Sequence, residues 1–162
     1  MILIAIGANL PGPSGESALE TCRWAVQQLD RLTGFRLVGL SRWYSTAPVP
    51  ASDQPNYVNG VAHLEGETDP VAMLGRLQAI ENAAGRIRSV LNAARVLDLD
   101  LLAIDRLYFA NAQLILPHPR LQDRAFVLAP LCDVAPTWRH PVLGHSARDL
   151  LAALRRPLPS TL

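Results

Sequence analysis

Residues 95–102 run Arg95-Val96-Leu97-Asp98-Leu99-Asp100-Leu101-Leu102 and alternate leucine with aspartate. In an extended strand, side chains two residues apart point to the same face of a sheet. Asp98 and Asp100 are therefore expected on one face, and the leucines between and beside them on the other, toward a core. This alternation predicts a half-buried strand over residues 96–104.

Two carboxylates so close together on one face repel each other unless a cation lies between them. Mg²⁺ suits such a pair, because it needs only one or two carboxylates together with water and substrate phosphates. The arginines of Gly85-Arg86-Ile87-Arg88 and Arg95 offer guanidinium groups that suit phosphate oxygens. The pattern indicates phosphoryl chemistry. From these residues alone an alternative stays open, in which both aspartates are solvated acids paired with Arg86 or Arg88.

The strand over 96–104 completes a series of predicted elements. An apolar run over 2–7 and β-forming residues over 35–44 and 57–65 predict three earlier strands. Apolar residues spaced by three and four predict two helices between them. One helix begins near Ser14 or Ser17 and ends at Gly34, and the other begins at Asp69-Pro70 and ends at Gly85.

The resulting order βαββαβ is the split βαβ, or ferredoxin-like, arrangement. We therefore predict an α+β sandwich whose antiparallel sheet has its helices on one main face, with C-terminal additions. The additions are a strand pair within 107–116, a loop over 117–120, helices over 124–134 and 146–154, and a frayed tail over 157–162. The proline-rich segment 45–56 is expected to be a functional loop, since long loops without structure are uncommon.

Composition narrows the class of protein. The chain has 162 residues, 49% of them hydrophobic, and is expected to form a single domain over 1–162. A net charge of +1 excludes a globally basic surface for nucleic acid or anionic membranes. Cys22 and Cys132 lack metal-ligand spacing and are expected to be free thiols in a reducing compartment. Residues 1–6 lack the basic region of a signal sequence, which favours the cytoplasm.

Several further motifs accompany the aspartate strand in a fixed order. They are Ile4-Ala5-Ile6-Gly7-Ala8-Asn9-Leu10, Tyr44-Ser45-Thr46-Ala47-Pro48, Asp53-Gln54-Pro55-Asn56-Tyr57-Val58-Asn59, Gln78-Ala79-Ile80-Glu81, Leu116-Pro117-His118-Pro119 and Arg124-Ala125-Phe126-Val127-Leu128-Ala129-Pro130-Leu131. Together they resemble the 6-hydroxymethyl-7,8-dihydropterin pyrophosphokinase family, whose fold is also the ferredoxin-like sandwich. The resemblance spans residues 4–131.

The resemblance implies a Mg²⁺-dependent enzyme of folate biosynthesis. It would transfer pyrophosphate from ATP, the co-substrate, to the hydroxymethyl group of 6-hydroxymethyl-7,8-dihydropterin, giving AMP and the pterin diphosphate. Two Mg²⁺ ions are implied, held by Asp98 and Asp100. The implied partners are these small molecules only, with no nucleic acid and no membrane, and the protein would be a monomer.

The resemblance also assigns roles to individual residues. The catalytic residues would be Arg86, Arg95, Asp98 and Asp100. The nucleotide would be bound by Gln78, Glu81, Arg86, Arg88, Arg95, Leu101, His118 and Arg124. The pterin would be bound by the main chain around Thr46, Ala47, Pro48 and Val49, between the rings of Tyr57 and Phe126, with Asn59 at its amide edge. Aromatic faces and in-plane polar groups suit a flat polar heterocycle.

The sequence departs from the family pattern in two places. Relatives often carry Trp-Gly-Pro before the counterpart of Arg95, where this chain has Asn92-Ala93-Ala94. We expect a lid that seals less tightly, or through another group such as Leu91. Unusual residues at Gln113, Ile115 and Pro119 put the adenosine contacts in doubt.

A different class of function, a non-catalytic ferredoxin-like module that binds RNA or a small ligand, is the alternative. RNA recognition on this fold needs aromatic residues on central strands and a basic face. The first predicted strand has no aromatic residue and the fourth carries two aspartates, which would repel phosphate without a metal. A regulatory module would leave the arginines and aspartates unexplained.

Overall fold

The computed structural model describes residues 1–48, 50–85 and 96–162, which form a six-stranded sheet, a short hairpin and four α-helices. The strands are β1 Ile2–Ala8, β2 Phe35–Leu40, β3 Tyr44–Thr46, β4 Tyr57–Gly66, β5 Asp98–Ile104, β6 Phe109–Ala110, β7 Ile115–Leu116 and β8 Ser160–Thr161. The helices are α1 Ala18–Asp30, α2 Pro70–Ala83, α3 Ala125–Val134 and α4 Ala147–Ala153, with a 3₁₀ turn over Leu121–Asp123.

The sheet confirms the ferredoxin-like prediction. β1 lies at its centre, antiparallel to β4 on one side and to β5 on the other. The far side of β4 pairs with β2 along residues 62–66 and with β3 along residues 57–59, so two short strands share the place of one. The order β5-β1-β4 followed by β2 and β3 is that of the split βαβ motif. β6 and β7 form the predicted hairpin.

The two faces of the sheet are covered differently, and we name them by that cover. The closed face packs against α1 and α2, through Ile4 and Ile6 of β1, Leu64 of β4 and Leu99 of β5. The open face packs against α3 and α4 over only part of its length, through residues such as Leu3 and Val61. The C-terminal additions predicted from the sequence therefore form the cover of the open face.

Side-chain caps explain where the helices begin. Ser17 caps α1 by accepting from Glu20 N, which decides between the two serines predicted for that role. Asp69 caps α2 before Pro70, as expected, and Ser146 caps α4. The longest described helix, α2, has 14 residues, and none of the described helices is both long and apolar enough to span a membrane.

One strand over 35–44 is a wrong prediction, because β2 ends at Leu40 and β3 begins at Tyr44. Ser41 interrupts the ladder: its backbone N–H donates to Val61 O at 2.9 Å while its Oγ accepts from Val61 N at 2.8 Å. A side-chain oxygen thus replaces a backbone carbonyl at this point. β-forming residues on both sides conceal the break in the sequence.

Two predicted chain ends also differ from the structure. The tail predicted to be frayed pairs in part with the sheet, because β8 is antiparallel to β3 and Leu162 N donates to Trp43 O at 2.9 Å. Helix α1 ends at Asp30 and not at Gly34, which lies in the turn before β2 with a φ of +86°. Such short or irregular connections have no periodic pattern to reveal them.

Both cysteines are free thiols, as predicted. Cys22 is fully buried in α1, and desolvation raises the pKa of its thiol to about 12. A thiol that does not ionise is a poor nucleophile and a poor metal ligand. Cys22 is therefore a packing residue.

Candidate active site

A row of polar positions crosses three strands at one end of the open face. Gly7 of β1 pairs with Asn59 of β4 on one side and with Asp98 of β5 on the other. Paired residues on antiparallel strands share a face, so the amide and the carboxylate flank a position that has no side chain. A Cβ atom at Gly7 would lie 3.0 Å from Asn59 Oδ1. Because Gly7 has no side chain, the surface of the sheet between Asn59 and Asp98 is uncovered. We call this uncovered position the open floor.

The aspartates of β5 alternate with leucines as the sequence predicts. Leu99 and Leu101 are 4% and 2% exposed in the core of the closed face. Asp98 and Asp100 are half-buried and point to the other face, where Asp100 pairs with Ala5 of β1. Their Cα atoms are roughly 7 Å apart along the strand, a spacing from which two carboxylates can reach one or more bound cations.

Glu81 fixes the backbone between the two aspartates. It lies on α2, is 5% exposed, and its Oε2 accepts the backbone N–H of Leu99 at 3.0 Å. Because Leu99 is the residue between the aspartates, this hydrogen bond holds the segment from which both carboxylates project. The predicted nucleotide contact of Glu81 stays a prediction, as does that of Gln78, an exposed residue one turn earlier on α2.

His118 lies beside the aspartate strand. Its backbone N–H donates to Leu102 O at 2.8 Å, and its Nδ1 accepts from Arg120 N at 3.2 Å. Desolvation lowers the pKa of His118; the charge of Asp100 opposes this, whereas Arg124 and Arg120 reinforce it. The lowered pKa favours the neutral form of the imidazole. The arginines supply the positive charge on this side of the site.

Two aromatic rings remain accessible near this end of the sheet. Tyr57 and Phe126 are each 37% exposed, and the guanidinium of Arg124 lies over the Phe126 ring at 5.6 Å. Tyr57 begins β4 and shares the open face with Asn59, two residues further on. Phe126 stands in the first turn of α3, the helix that covers this face. The accessible ring of Phe126 offers an aromatic face on which a flat ligand can stack.

The proline-rich loop is tied to the end of β1. Buried Asn9 donates from Nδ2 to Gln54 Oε1 at 3.2 Å, and Asn56 Nδ2 donates to Ser45 Oγ at 3.3 Å. Thr46, at the start of the loop, pairs with Tyr57, while Ala47 and Pro48 follow outside the sheet. The loop therefore lies next to Tyr57, where main-chain groups can face a ligand.

The remaining predicted site residues either lie outside the described residues or point away from the open face. Val49, Arg86, Arg88 and Arg95 lie outside the described residues, together with the whole loop from 89 to 94 that was predicted to act as a lid. The side chain of Leu101 is buried in the core of the closed face, so a contact with the nucleotide would have to come from its backbone.

The sequence predicted neither a role for Asn9 nor the hydrogen bond from Leu99 N to Glu81. Asn9 follows an apolar strand directly, and a polar residue at such a strand end is a signal that could have been used. The bond from Leu99 to Glu81 joins residues 18 positions apart, and no sequence pattern predicts it.

The chemistry of the donor set favours a hard cation shared with a ligand. Among the described residues, no group of three or more histidines, cysteines or acids could enclose a metal by itself. Asp98 and Asp100 offer only oxygen ligands and leave coordination positions for phosphate oxygens and water. Such a partial set fits Mg²⁺, which is usually bound through one or two carboxylates and substrate phosphates.

Comparison with protein families gives one match, over residues 3–136, to the family described as 7,8-dihydro-6-hydroxymethylpterin-pyrophosphokinase (HPPK). Among curated relatives, a Pseudomonas aeruginosa protein named 2-amino-4-hydroxy-6-hydroxymethyldihydropteridine pyrophosphokinase is 40% identical over 152 residues, covering 94% of this chain and 90% of that protein. A Haemophilus influenzae protein of the same name is 38% identical over 132 residues, covering 82% and 79%.

Solved structures support the fold at lower identity. A crystal structure of Plasmodium falciparum HPPK-DHPS with pteroate matches 93% of this chain with a TM-score of 0.67 at 13% identity. This chain covers 41% of that longer chain. The wild-type structure of the same protein matches 93% of this chain with a TM-score of 0.67, and the match covers 44% of the longer chain. The backbone arrangement is thus shared although few residues are.

Proposed function

The chain belongs to the 7,8-dihydro-6-hydroxymethylpterin-pyrophosphokinase family, and from this premise we propose how its residues bind both substrates and promote the reaction. The protein is a transferase of folate biosynthesis that moves pyrophosphate from ATP to a reduced pterin. The non-catalytic module considered above is not favoured. The site assignment rests on one observation. Asn59, Gly7 and Asp98 form a row across three strands, and the accessible rings of Tyr57 and Phe126 lie beside it.

The pterin would lie at the Tyr57 side of this row. Tyr57 and Phe126 would stack on its two faces, and Asn59 would hydrogen-bond its amide edge. The open floor at Gly7 lets the flat ring approach the sheet, and main-chain groups of Thr46, Ala47, Pro48 and Val49 would line its other edge. This pose directs the hydroxymethyl group across Gly7 toward Asp98.

The triphosphate of ATP would lie at the β5 side. Asp98 and Asp100 would hold two Mg²⁺ ions, which would supply neutralisation of phosphate charge and stabilisation of the entering and leaving oxygens. Arg86, Arg95, Arg88 and Arg124 would bind phosphate oxygens as negative charge grows in the transition state. His118 would accept or donate a hydrogen bond there.

In the chemical step the pterin hydroxyl oxygen attacks the β-phosphorus. The new O–P bond forms as the bond to the oxygen that bridges the α- and β-phosphorus breaks, so that AMP leaves and the hydroxyl proton is released. The protein forms no covalent bond in this step, so its contribution is positioning and electrostatic stabilisation. Glu81 contributes indirectly, because it fixes the backbone that carries both aspartates. Direct nucleotide contacts by Gln78, Glu81 and the Leu101 backbone complete the proposed binding site.

The proposal extends to the state of the protein. We infer that residues 1–162 form one pterin pyrophosphokinase domain that acts as a monomer on small molecules only. We place it in the cytoplasm, where Cys22 and Cys132 would remain the free thiols observed.

The test is formation of AMP and of the pterin diphosphate from ATP, Mg²⁺ and 6-hydroxymethyl-7,8-dihydropterin. We expect both products in equal amounts from the wild type, and a loss of about a thousandfold or more in kcat for Asp98→Ala and Asp100→Ala. Exposed Asp149→Ala on α4 is the matched control and should keep full activity. No AMP from the wild type would refute the activity. Full activity in both site variants would refute the metal assignment alone.

A further inference from the structure

Asp133, at the far end of α3, forms a hydrogen-bonded cluster with the start of β3. Arg42 donates to it from its backbone N at 3.1 Å, from Nε at 3.2 Å and from a terminal guanidinium nitrogen at 3.0 Å. The Tyr44 hydroxyl donates to Asp133 Oδ2 at 2.8 Å and accepts from the same guanidinium at 3.0 Å. Four donors thus converge on one carboxylate.

This cluster differs from an ordinary surface ion pair in its number of hydrogen bonds and in the burial of Tyr44, although the Arg42 side chain is 66% exposed. Exposed pairs contribute little, because water screens them and long side chains lose freedom. Here the Asp133 side chain is 18% exposed and the Tyr44 ring is buried. Partial burial works against ionisation of Asp133, but the hydrogen bonds from Arg42 and Tyr44 outweigh it, and the pKa of this carboxyl is lowered. The carboxylate is ionised at neutral pH.

The cluster joins α3, which carries Phe126, to β3, the strand that pairs with the Tyr57 end of β4. Tyr44 pairs with Asn59, and two residues later Thr46 pairs with Tyr57, so these four residues share the open face. Helix α3 follows the loop held to Leu102 of β5 and ends at the cluster beside β3. It therefore crosses the sheet, and its position over β4 depends on how its last turn is held.

Phe126 and Asp133 lie on the same face of α3. They are seven residues apart, which is close to two helical turns and about 10 Å along the axis. Between them stands Pro130, which lacks the N–H that would otherwise bond to the Phe126 carbonyl. One hydrogen bond is missing here, but α3 is continuous from Ala125 to Val134, so the placement of its last turn is carried along the helix to the turn that holds Phe126.

We propose that Asp133, Tyr44 and Arg42 are positioning residues that set the separation between Phe126 on α3 and Tyr57 on β4, and so the width of the slot in which the pterin ring stacks. The inference rests on the proposed pterin site. None of the three touches the reacting atoms. Their effect reaches the substrate through the height and rotation of α3.

The experiment measures KM for the pterin, KM for ATP and kcat in Tyr44→Phe and Asp133→Asn. Tyr44→Phe removes one hydroxyl and keeps the buried ring, so the fold should survive. We expect KM for the pterin to rise about fivefold in Tyr44→Phe and tenfold or more in Asp133→Asn, with KM for ATP unchanged. The loss in the double variant should be smaller than the sum of the two single losses, since both changes weaken the same hydrogen-bonded cluster.

Trp138→Phe is the matched control. It removes the hydrogen bond from Trp138 Nε1 to Asp105 O at 2.7 Å, which anchors the chain after α3 at a place away from Tyr57. It should lower the melting temperature and leave KM for the pterin unchanged. If Tyr44→Phe and Asp133→Asn also change only the melting temperature, the cluster is merely structural and the inference is wrong.

Phe126→Ala separates this inference from the proposed function. If KM for the pterin rises in Phe126→Ala but in neither cluster variant, the pterin slot stands and the positioning role is refuted. If Phe126→Ala leaves KM for the pterin unchanged, the slot itself is refuted, and any rise in the cluster variants then has another cause.

Discussion

The closed and open faces of the sheet are built from the same strands, yet they differ in what they leave uncovered. On β5, Leu99 is buried beneath α2, whereas Asp98 and Asp100 on either side of it are half-exposed on the open face. On β4, Val58 is buried and Asn59, the next residue, is accessible. One step along a strand therefore separates the hydrophobic core from the candidate site.

This difference shows how the core positions the chemistry. Register in a sheet is fixed where one face is buried, because a slip of one residue would exchange the two faces. The leucines of the closed face thus hold both aspartates at fixed points beside Gly7. If the comparison is right, changes on the open face alter activity, and changes on the closed face alter stability.

Apart from the aspartates, the largest effect on activity is expected at the open-face aromatic residues. Phe126→Ala and Tyr57→Ala should each lower kcat/KM for the pterin by about 10- to 100-fold, because stacking a ring on an aromatic side chain contributes roughly 1–3 kcal/mol. Unfolding in urea should show a smaller loss, of about 1–2 kcal/mol, since each residue is 37% exposed and only part of its ring is packed. Tyr108→Ala, at a ring 63% exposed beyond β5, is the control and should match the wild type.

Glu81 should affect both stability and activity. It belongs to a closed-face helix but holds the backbone between the aspartates. Glu81→Ala should cost about 1–3 kcal/mol of unfolding free energy, because it leaves a buried N–H without this acceptor, and should also reduce kcat. Glu81→Gln keeps an acceptor and should recover most of the stability. A rise in KM for ATP in Glu81→Gln would indicate direct nucleotide contact, whereas normal kcat in Glu81→Ala would contradict the positioning role.

Two glycines on neighbouring strands, Gly7 and Gly60, allow the same substitution to be made on each face of the sheet. A Cβ at Gly7 would enter the open floor beside Asn59, while a Cβ at Gly60 would lie 2.5 Å from the Trp43 ring on the closed face. Gly7→Ala should lower activity by about tenfold with a minor loss of stability. Gly60→Ala should cost about 1–3 kcal/mol by overpacking, with normal KM values. Enzyme kinetics and urea unfolding on the same preparations would show whether the loss of activity and the loss of stability occur in different variants. Equal losses of activity and of stability in both variants would contradict the difference between the two faces.

The smallest effect concerns pH. Nδ1 of buried His140 accepts from Val142 N at 3.2 Å and Leu143 N at 3.0 Å, and desolvation lowers the pKa of this histidine. The unfolded chain binds the proton more readily, so stability should fall as pH drops below about 6.5. Melting curves between pH 7.5 and 5 should show a shallower fall in His140→Gln, by about 1 kcal/mol or less. The exposed control His145→Gln should lose stability with falling pH as the wild type does. If His140→Gln shows the same pH dependence as the wild type, His140 does not contribute to it.

The sequence predicted the features that depend on periodic patterns. The four main strands, both main helices and the split between Asp98 and Leu99 follow from alternation and spacing. The features it missed depend on single distant contacts: the break at Ser41 rests on a side-chain bond to Val61, and β8 pairs through only two residues. The position of Glu81 beneath Leu99 likewise depends on how α2 packs on β5.

Adjacent residues on opposite faces give the most direct test of the account. Rates of AMP formation and free energies of unfolding should be measured for Asp98→Asn and Leu99→Ala. The account predicts that Asp98→Asn loses about a thousandfold in kcat while its stability changes by less than about 1 kcal/mol. It predicts that Leu99→Ala loses about 2–5 kcal/mol of stability and keeps most of its kcat when folded. An active Asp98→Asn enzyme, or a Leu99→Ala variant that is fully stable but inactive, would contradict it.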